Sequence, residues 1–506
     1  MMFRLPTECL NEILEYLEED KTTLHSCLSV DRLLCEVSVK ILWRDIWSYK
    51  YIRHFQHKSK IAILSTLVAC LPDESKEIFR RNEISISIPT PNLPLFNYAA
   101  FCNILSIDII YQTIDDVFYP TYNISVIPPM ILYNNFLIAN EIIKMFLSQI
   151  SSLKRLSYSI HWSYEYLIDL SFTCLPKARN CLIDLSELDC SSKVNPEFFY
   201  QLSQTCYNLQ SITIRFQSKP VSNELKKLIS LQKNLKNLSI LASDYWNDWT
   251  SIIPVLTKHS NTLTKLHICC NYDLPLLFVT LFSNLQEIEF SSSLHSYAIE
   301  RFKELQHVTF PKLQILKINH SFKPEYIMKF LEINGINLKE FYFDGVSSDL
   351  NLSIAKFCLN LRNLFVNFVN GEKDTLRIIF NNCQYLEGIK IRCGRIFLSE
   401  KEVLKIIAKH SSKNFHELII YNNSSLELTP KILESFFLSW KNQTSKKSII
   451  FIIKSYYNSL EDNEEKMKII EKYKNYSIIK KFESLLMDSE EKDNYSEHYA
   501  FGYYYC

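Results

Sequence analysis

The residues able to do covalent or metal chemistry are plentiful in this chain, but their spacing does not suit it. There are fifteen cysteines and twelve histidines. No C-x-x-C pair can be written, and the cysteine count is odd, so no zinc fold or redox pair is expected. His54 and His57 lie three apart on a predicted helix with no second ligand pair in the sequence, and Cys269-Cys270 reads as a strand end. H-E-x-x-H is absent. Phosphate-cradling loops and nucleophile elbows need glycine for close backbone approach and sharp turns. Only six glycines occur in 506 residues, and neither G-x-G-x-x-G, G-x-x-x-x-G-K-[ST] nor G-x-S-x-G is present. The expectation is a protein without catalytic residues, metal or cofactor, which works by binding.

Composition narrows what it binds. Apolar residues make up 47% of the chain, enough for a continuous core, and the length calls for several domains or one elongated array. The formal net charge is +1, so no basic field favours nucleic acid. The start Met1-Met2-Phe3-Arg4 lacks the apolar run of a secretory signal. Apolar runs such as Ile449 to Ile453 are far shorter than the ~20 residues a bilayer needs. The expectation is a soluble intracellular protein, cytoplasmic or nuclear, with no membrane partner and its cysteines reduced.

Residues 1–47 predict three short helices. Pro6 suits a helix start, and Glu8 in the first turn complements the dipole. Leu10, Ile13, Leu14 and Leu17 repeat at helical spacing. Asp20 can cap a second helix carrying Leu24, Cys27 and Leu28; Leu33, Leu34 and Val37 mark a third, followed by Leu42-Trp43. This unit is too small to hide all its apolar surface, so it is either a cap on the next domain or a motif that a partner completes. The string Leu5-Pro6-x-Glu8-x-Leu10-x-x-Ile13-Leu14-x-x-Leu17 resembles the start of an F-box, as do Cys27-Leu28-x-Val30-x-Arg32-x-x-Cys35 and Leu42-Trp43. The resemblance covers about a tenth of the chain and departs from the family at Leu34, where many members carry Trp. It implies docking to a Skp-type adaptor, and through it to a cullin scaffold, by way of Leu5, Pro6, Leu10, Ile13, Leu14, Leu17, Val30, Leu42 and Trp43.

Downstream, the pattern L-x-x-[LIF]-x-apolar recurs eleven times, opening at Leu153, Leu185, Leu209, Leu235, Leu263, Leu285, Leu313, Leu338, Leu361, Leu386 and Phe415. From Leu185 onward the intervals run from 22 to 29 residues, the period of leucine-rich repeats. Intervening segments, such as the one opened by Pro196 and the one around Val403 to Ile407, have helical apolar spacing. Each unit therefore predicts one strand and one helix, whose apolar side is completed by its neighbours. The fold class is an α/β solenoid: a curved leucine-rich-repeat array, parallel sheet concave and helices convex, behind a three-helix N-terminus. Cys206, Cys358 and Cys383 each stand three residues before the leucine that opens a strand and read as buried packing residues. This placement resembles the cysteine-containing leucine-rich-repeat subfamily, which commonly accompanies F-boxes.

Alternation along the strands turns the residues between the apolar positions outward. Late repeats would present Tyr342, Asp344, Phe365, Asn367, Lys390, Arg392 and Tyr421, where aromatics mix with charge as in protein-binding hot spots. An ordinary mixed solvent face is the competing reading.

The expected organisation is a docking motif (1–47), a linker and N-terminal cap with possible early repeats (48–150), the array (151–453), a helical C-terminal cap (454–487) and a disordered tail (488–506). The resemblance implies the substrate-recognition subunit of a Skp-cullin-F-box ubiquitin ligase, which holds an unknown target protein on the array. The alternative is a ubiquitin-independent interaction scaffold.

Overall fold

The computed structural model describes residues 5–47, 57–84, 94–118, 129–159, 176–217, 220–242, 249–270, 275–291, 300–319, 321–422, 428–443, 447–455 and 459–486. The expected tail at 488–506 and His54 lie outside them, as does most of the Pro89 to Pro94 break. The chain forms two compact units, residues 1–235 with 247–256, and residues 236–246 with 257–506. Fourteen strands occur among the described residues, and within each unit every strand pairs in parallel with the next in chain order. That is an α/β solenoid architecture.

The first unit opens with α1 (Thr7–Glu15), α2 (Lys21–Cys27) and α3 (Arg32–Arg44). Asp20 accepts the Thr23 N–H at 3.0 Å and Asp31 the Leu34 N–H at 2.8 Å, which fixes where the second and third helices begin. Leu14, Leu24, Val37 and Ile41 form their core, with Leu17, Cys27, Leu34 and Leu42 packed around it. The end of α3 is tied to residues downstream of it. Cys102 Sγ donates to the Trp43 carbonyl at 3.0 Å, the Asn103 N–H donates to the Arg44 carbonyl at 3.1 Å, and the Trp47 ring sits edge-on to Phe146.

Asn103 immediately precedes β1 (Ile104–Ser106), so the helical unit abuts the first strand of the sheet. Next come β2 (Arg155–Tyr158), β3 (Glu187–Ser191) and β4 (Ser211–Phe216). Among the described residues, the stretch expected as linker and cap holds four α-helices, His57–Cys70, Asp73–Arg81, Ile107–Phe118 and Pro129–Gln149. The last buries Ile138, Ala139, Ile142, Ile143 and Phe146.

The second unit carries β5 (Asn237–Ala242), β6 (Lys265–Cys270), β7 (Glu287–Ser291), β8 (Ile315–Ile318), β9 (Glu340–Val346), β10 (Asn363–Asn367), β11 (Gly388–Cys393), β12 (Glu417–Asn422), β13 (Ile449–Ser455) and β14 (Ile479–Leu486). Its register is the one the motif dictates. The second apolar position of each repeat pairs with that of the next: Leu238, Leu266, Ile288, Leu316, Phe341, Leu364, Ile389 and Leu418 in turn. A shared backbone device enforces it. The carbonyl one residue after the opening leucine accepts two successive N–H groups of the next repeat: Lys339 from Arg362 and Asn363, Arg362 from Glu387 and Gly388, Glu387 from His416 and Glu417. A one-residue slip would break both bonds and turn the apolar side chains outward.

Two expectations need correcting. Not every connection is an α-helix: after β6 and β7 the described chain makes only the 3-10 turns Leu277–Leu281 and Arg301–Glu304. The repeat opened at Leu263 is the shortest, 22 residues, and leaves little room for more than a tight turn. Nor does the sheet stop at residue 453. The segment expected as a helical cap supplies the helix Glu464–Asn475 and then β14, which pairs in parallel with β13. Lys480, Lys481 and Glu483 interrupt the apolar alternation of β14, which is why it does not read as a repeat.

Candidate functional site

Two surfaces hold the residues singled out from sequence, one in each unit. In the helical unit, α1 carries two apolar stripes instead of one. The inner stripe, Leu10, Leu14 and Leu17, turns toward α2 and α3, with Leu14 only 4% exposed. The outer stripe, Pro6, Cys9, Ile13 and Tyr16, follows the same helical period about a quarter-turn round from the inner one and is exposed, Ile13 by 50% and Tyr16 by 91%. Leu5 and Val30 are exposed as well. Of the nine residues assigned to adaptor docking, the structure leaves Leu5, Pro6, Ile13 and Val30 on the surface, and Leu10, Leu17, Leu42 and Trp43 half-buried. Leu14 belongs to the core and presents nothing to a partner. Trp43 is partly covered by Tyr98, their ring centroids 4.5 Å apart. Cys9 and Tyr16 were missed, although their spacing from Pro6 and Ile13 is visible in the sequence.

The two stripes are held in place electrostatically. Arg44 on α3 donates to both carboxylate oxygens of Glu15, at 2.5 and 2.6 Å, and to Glu18 at 3.3 Å. These hydrogen bonds hold the Glu15 carboxyl below its usual range against the opposing effect of burial.

In the second unit, the register lines up one outward residue per strand. Ser239, His267, Glu289, Lys317, Tyr342, Phe365, Lys390, Ile419, Ile452 and Glu483 form a continuous row across β5 to β14. A second row carries Arg392, Tyr421 and Lys454. Tyr342 and Phe365 stack at 4.3 Å, and Tyr421 meets Phe365 edge-on at 5.8 Å. The Arg392 guanidinium lies 5.9 Å from the centre of the Phe365 ring, and the Lys454 ammonium 5.6 Å from that of Tyr421.

The residues picked from sequence are thus brought together, but three are not at the surface as alternation implied. Phe365 is only 4% exposed, because Tyr342, Arg392 and Tyr421 cover it. Asp344 is buried, and its carbonyl accepts from Arg392 Nη1 at 3.3 Å. Asn367 is buried too; its amide donates to the carbonyls of Asp344 at 2.6 Å and Gly345 at 3.1 Å. Sequence reading missed Ile419, Ile452 and Lys454, the last two because β13 lacks the L-x-x-L opening.

Earlier on the same row, Asn237, Ser239, Lys265, His267, Glu287, Glu289 and Lys317 line a shallow depression of ≈ 270 Å³. Its charges answer one another. Lys317 bridges Glu287 at 2.8 Å and Glu289 at 3.5 Å, Lys265 adds a contact to Glu287 at 3.0 Å, and His267 lies 3.7 Å from Glu289. Burial opposes ionisation of Glu287, but the two ammonium groups outweigh it and hold the carboxyl below its usual range.

The three cysteines assigned to packing are all buried. The Cys206 thiol donates to the Leu182 carbonyl at 3.1 Å, and that of Cys383 to the Cys358 carbonyl at 3.4 Å, so each bonds the preceding repeat. Burial pushes the Cys206 thiol up to about 11 and that of Cys383 up to about 12, far from a reactive thiolate. Gly335 makes room for Cys358, since a Cβ there would lie 3.0 Å from its sulfur. No cluster of three or more His, Cys, Asp or Glu suited to a metal occurs among the described residues, and no described helix is long and apolar enough to cross a membrane.

No protein-family model matches this chain, and no curated protein matches it in sequence.

Proposed function

We propose that this protein is the substrate-recognition subunit of a Skp-cullin-F-box type ubiquitin ligase. The helical unit docks the adaptor and the leucine-rich-repeat array holds a target protein. The observation that carries the reading is the second apolar stripe of α1. A helix that merely caps an array needs one apolar side, and the inner stripe already supplies it. Pro6, Cys9, Ile13 and Tyr16, together with the exposed Leu5 and Val30, leave apolar surface that a partner's helices would bury. The tie between α3 and β1 adds support, because it fixes the docking unit against the first repeats.

No chemistry is assigned to the chain itself. Its contribution is effective concentration: a target held on the array and a ligase held on the helices make ubiquitin transfer quasi-intramolecular. Such a subunit acts in the cytoplasm or nucleus.

The test is co-expression of the full chain with a Skp-type adaptor, followed by size-exclusion chromatography. A stable equimolar complex that disappears when residues 1–47 are removed is the expected result. A monodisperse chain that ignores the adaptor would refute the ligase reading and leave a ubiquitin-independent scaffold.

A further inference from the structure

The outward face of β9 to β13 combines cations with aromatic rings. Alternation assigns ten positions to it, Tyr342 and Asp344, Phe365 and Asn367, Lys390 and Arg392, Ile419 and Tyr421, Ile452 and Lys454, but a register shift sets Asn367 opposite Val346, so the second row runs unbroken only through Arg392, Tyr421 and Lys454. Three are cationic, and the one acid, Asp344, is buried. On one side the first row continues to Lys317 on β8, which Glu287 and Glu289 already hold, and on the other to Glu483 on β14. Two of the cations lie against aromatic rings, Arg392 over Phe365 and Lys454 over Tyr421. A cation resting on a ring loses less freedom when it meets an anion. Beside them the half-buried Tyr342 ring stacks on Phe365, over a floor that includes the buried pair Ile419–Ile452.

From these observations we infer that this face binds a short acidic peptide segment of the target, with an apolar anchor among its carboxylates or phosphates. The inference rests on the target-holding role proposed above and names the chemistry of what is held. Four strand spacings of about 4.8 Å span roughly 19 Å, the length of about six residues of extended chain crossing the strands. Lys390, Arg392 and Lys454 would take its anions, while the half-buried rings of Tyr342 and Tyr421 take its apolar side chain. A nucleic acid suits the face less well. A phosphate backbone continuing along the row would meet Glu483 directly on one side and, beyond Lys317, Glu289 on the other.

The experiment uses the full chain bound to the adaptor and measures fluorescence anisotropy of labelled peptides at low and moderate salt. The first probe alternates Glu with two central Leu residues. The second replaces Glu with Lys, the third replaces two Glu with phosphoserine, and a uridine homopolymer serves as competitor. The Glu probe should bind, weaken as salt rises, and lose roughly tenfold or more in affinity with the Lys390→Glu/Arg392→Glu double variant. Because Arg392 also contacts the Asp344 carbonyl, Lys454→Glu is tested separately and should weaken binding in the same direction. Circular dichroism melts report that the array of each variant is folded. A stronger phosphoserine probe would identify phosphate as the preferred anion, and equal binding would identify carboxylate; either upholds the inference. Equal affinity for Glu and Lys probes, unchanged affinity in both variants, or displacement by the uridine polymer at lower concentration than by unlabelled Glu peptide would overturn it. A chain that binds the Glu probe but not the adaptor would uphold the surface and refute the ligase reading.

Discussion

Ile13 and Leu14 are neighbours on α1 with opposite environments: Ile13 is half exposed, whereas Leu14 is enclosed with Leu24, Val37 and Ile41. One residue of helix turns a side chain by about 100°, enough to move it from a solvent face to a core face. The proposed docking surface and the folding core of the helical unit are therefore interleaved along one helix and can be separated by mutation.

Ile13→Asp should abolish adaptor binding while changing stability by less than about 0.5 kcal/mol, as is usual at exposed sites. Leu14→Asp places a carboxylate in the small core and should cost at least about 3 kcal/mol, enough to unfold the helical unit. Circular dichroism melts and adaptor co-elution of the two variants decide this. Equal loss of helix in both would show that the outer stripe is structural.

Arg44 should couple the helical unit to pH through Glu15. Its hydrogen bonds, opposed by burial, depress the folded-state pKa of that carboxyl. The stabilisation is therefore complete above the unfolded value of about 4.3 and is lost as pH falls through the folded value. The pair is substantially exposed, so Arg44→Ala should cost on the order of 0.5–1 kcal/mol at neutral pH. Thermal melts from pH 7 downward should show wild type and variant converging in acid. A difference that grows on acidification would contradict the assigned pair.

Asp108 behaves in the opposite sense. It sits in the first turn of the helix Ile107–Phe118 and accepts the Ser157 hydroxyl at 3.0 Å and the Ser159 N–H at 2.7 Å. Burial above all, and then the nearby Asp189 carboxylate, push its pKa up to about 7 despite these bonds and the Arg215 that pairs with Asp189 at 2.7 Å. An unfolded aspartate ionises near 3.9, so the folded chain retains an extra proton from about pH 4 to pH 7, and stability falls as pH rises through that window. Asp108→Asn should melt a few degrees higher than wild type at pH 8, with the gap narrowing toward pH 5. A variant less stable than wild type at pH 8 would show that the ionised carboxylate is favoured.

The repeat register was legible because it depends on identity and spacing. The opening leucine and the second apolar position must stack on their counterparts, and they do so from Leu238 to Leu418. Direction was legible too, since alternation places Tyr342, Lys390 and Arg392 on one face. Coverage was not. Whether an outward side chain reaches solvent depends on residues one or two strands away: Arg392, two strands beyond Asp344, bonds its carbonyl, and Tyr342 and Arg392 close over Phe365. Nothing local to Phe365 encodes that. In α1 the outer stripe went unread because the inner one, Leu10, Leu14 and Leu17, already satisfies the helical pattern and Ile13 reads as part of it.

Asn367 shows what that difference means for mutagenesis. As a surface contact it would be replaceable at little cost to stability. In the structure it is 1% exposed, and its amide donates to the carbonyls of Asp344 and Gly345 in the preceding repeat, while its own carbonyl accepts the Asn351 amide at 2.9 Å. Asn367→Ala leaves two buried carbonyls without that donor and should cost about 2–3 kcal/mol. Asn367→Asp should be worse, because an ionised carboxylate would face the two carbonyls that the amide now serves. The chemistry thus ranks wild type above Ala and Ala above Asp, although Asp is the closer match in shape. Urea denaturation midpoints of the three proteins check the order. Wild-type midpoints for both variants, combined with lost target capture, would return Asn367 to the binding surface.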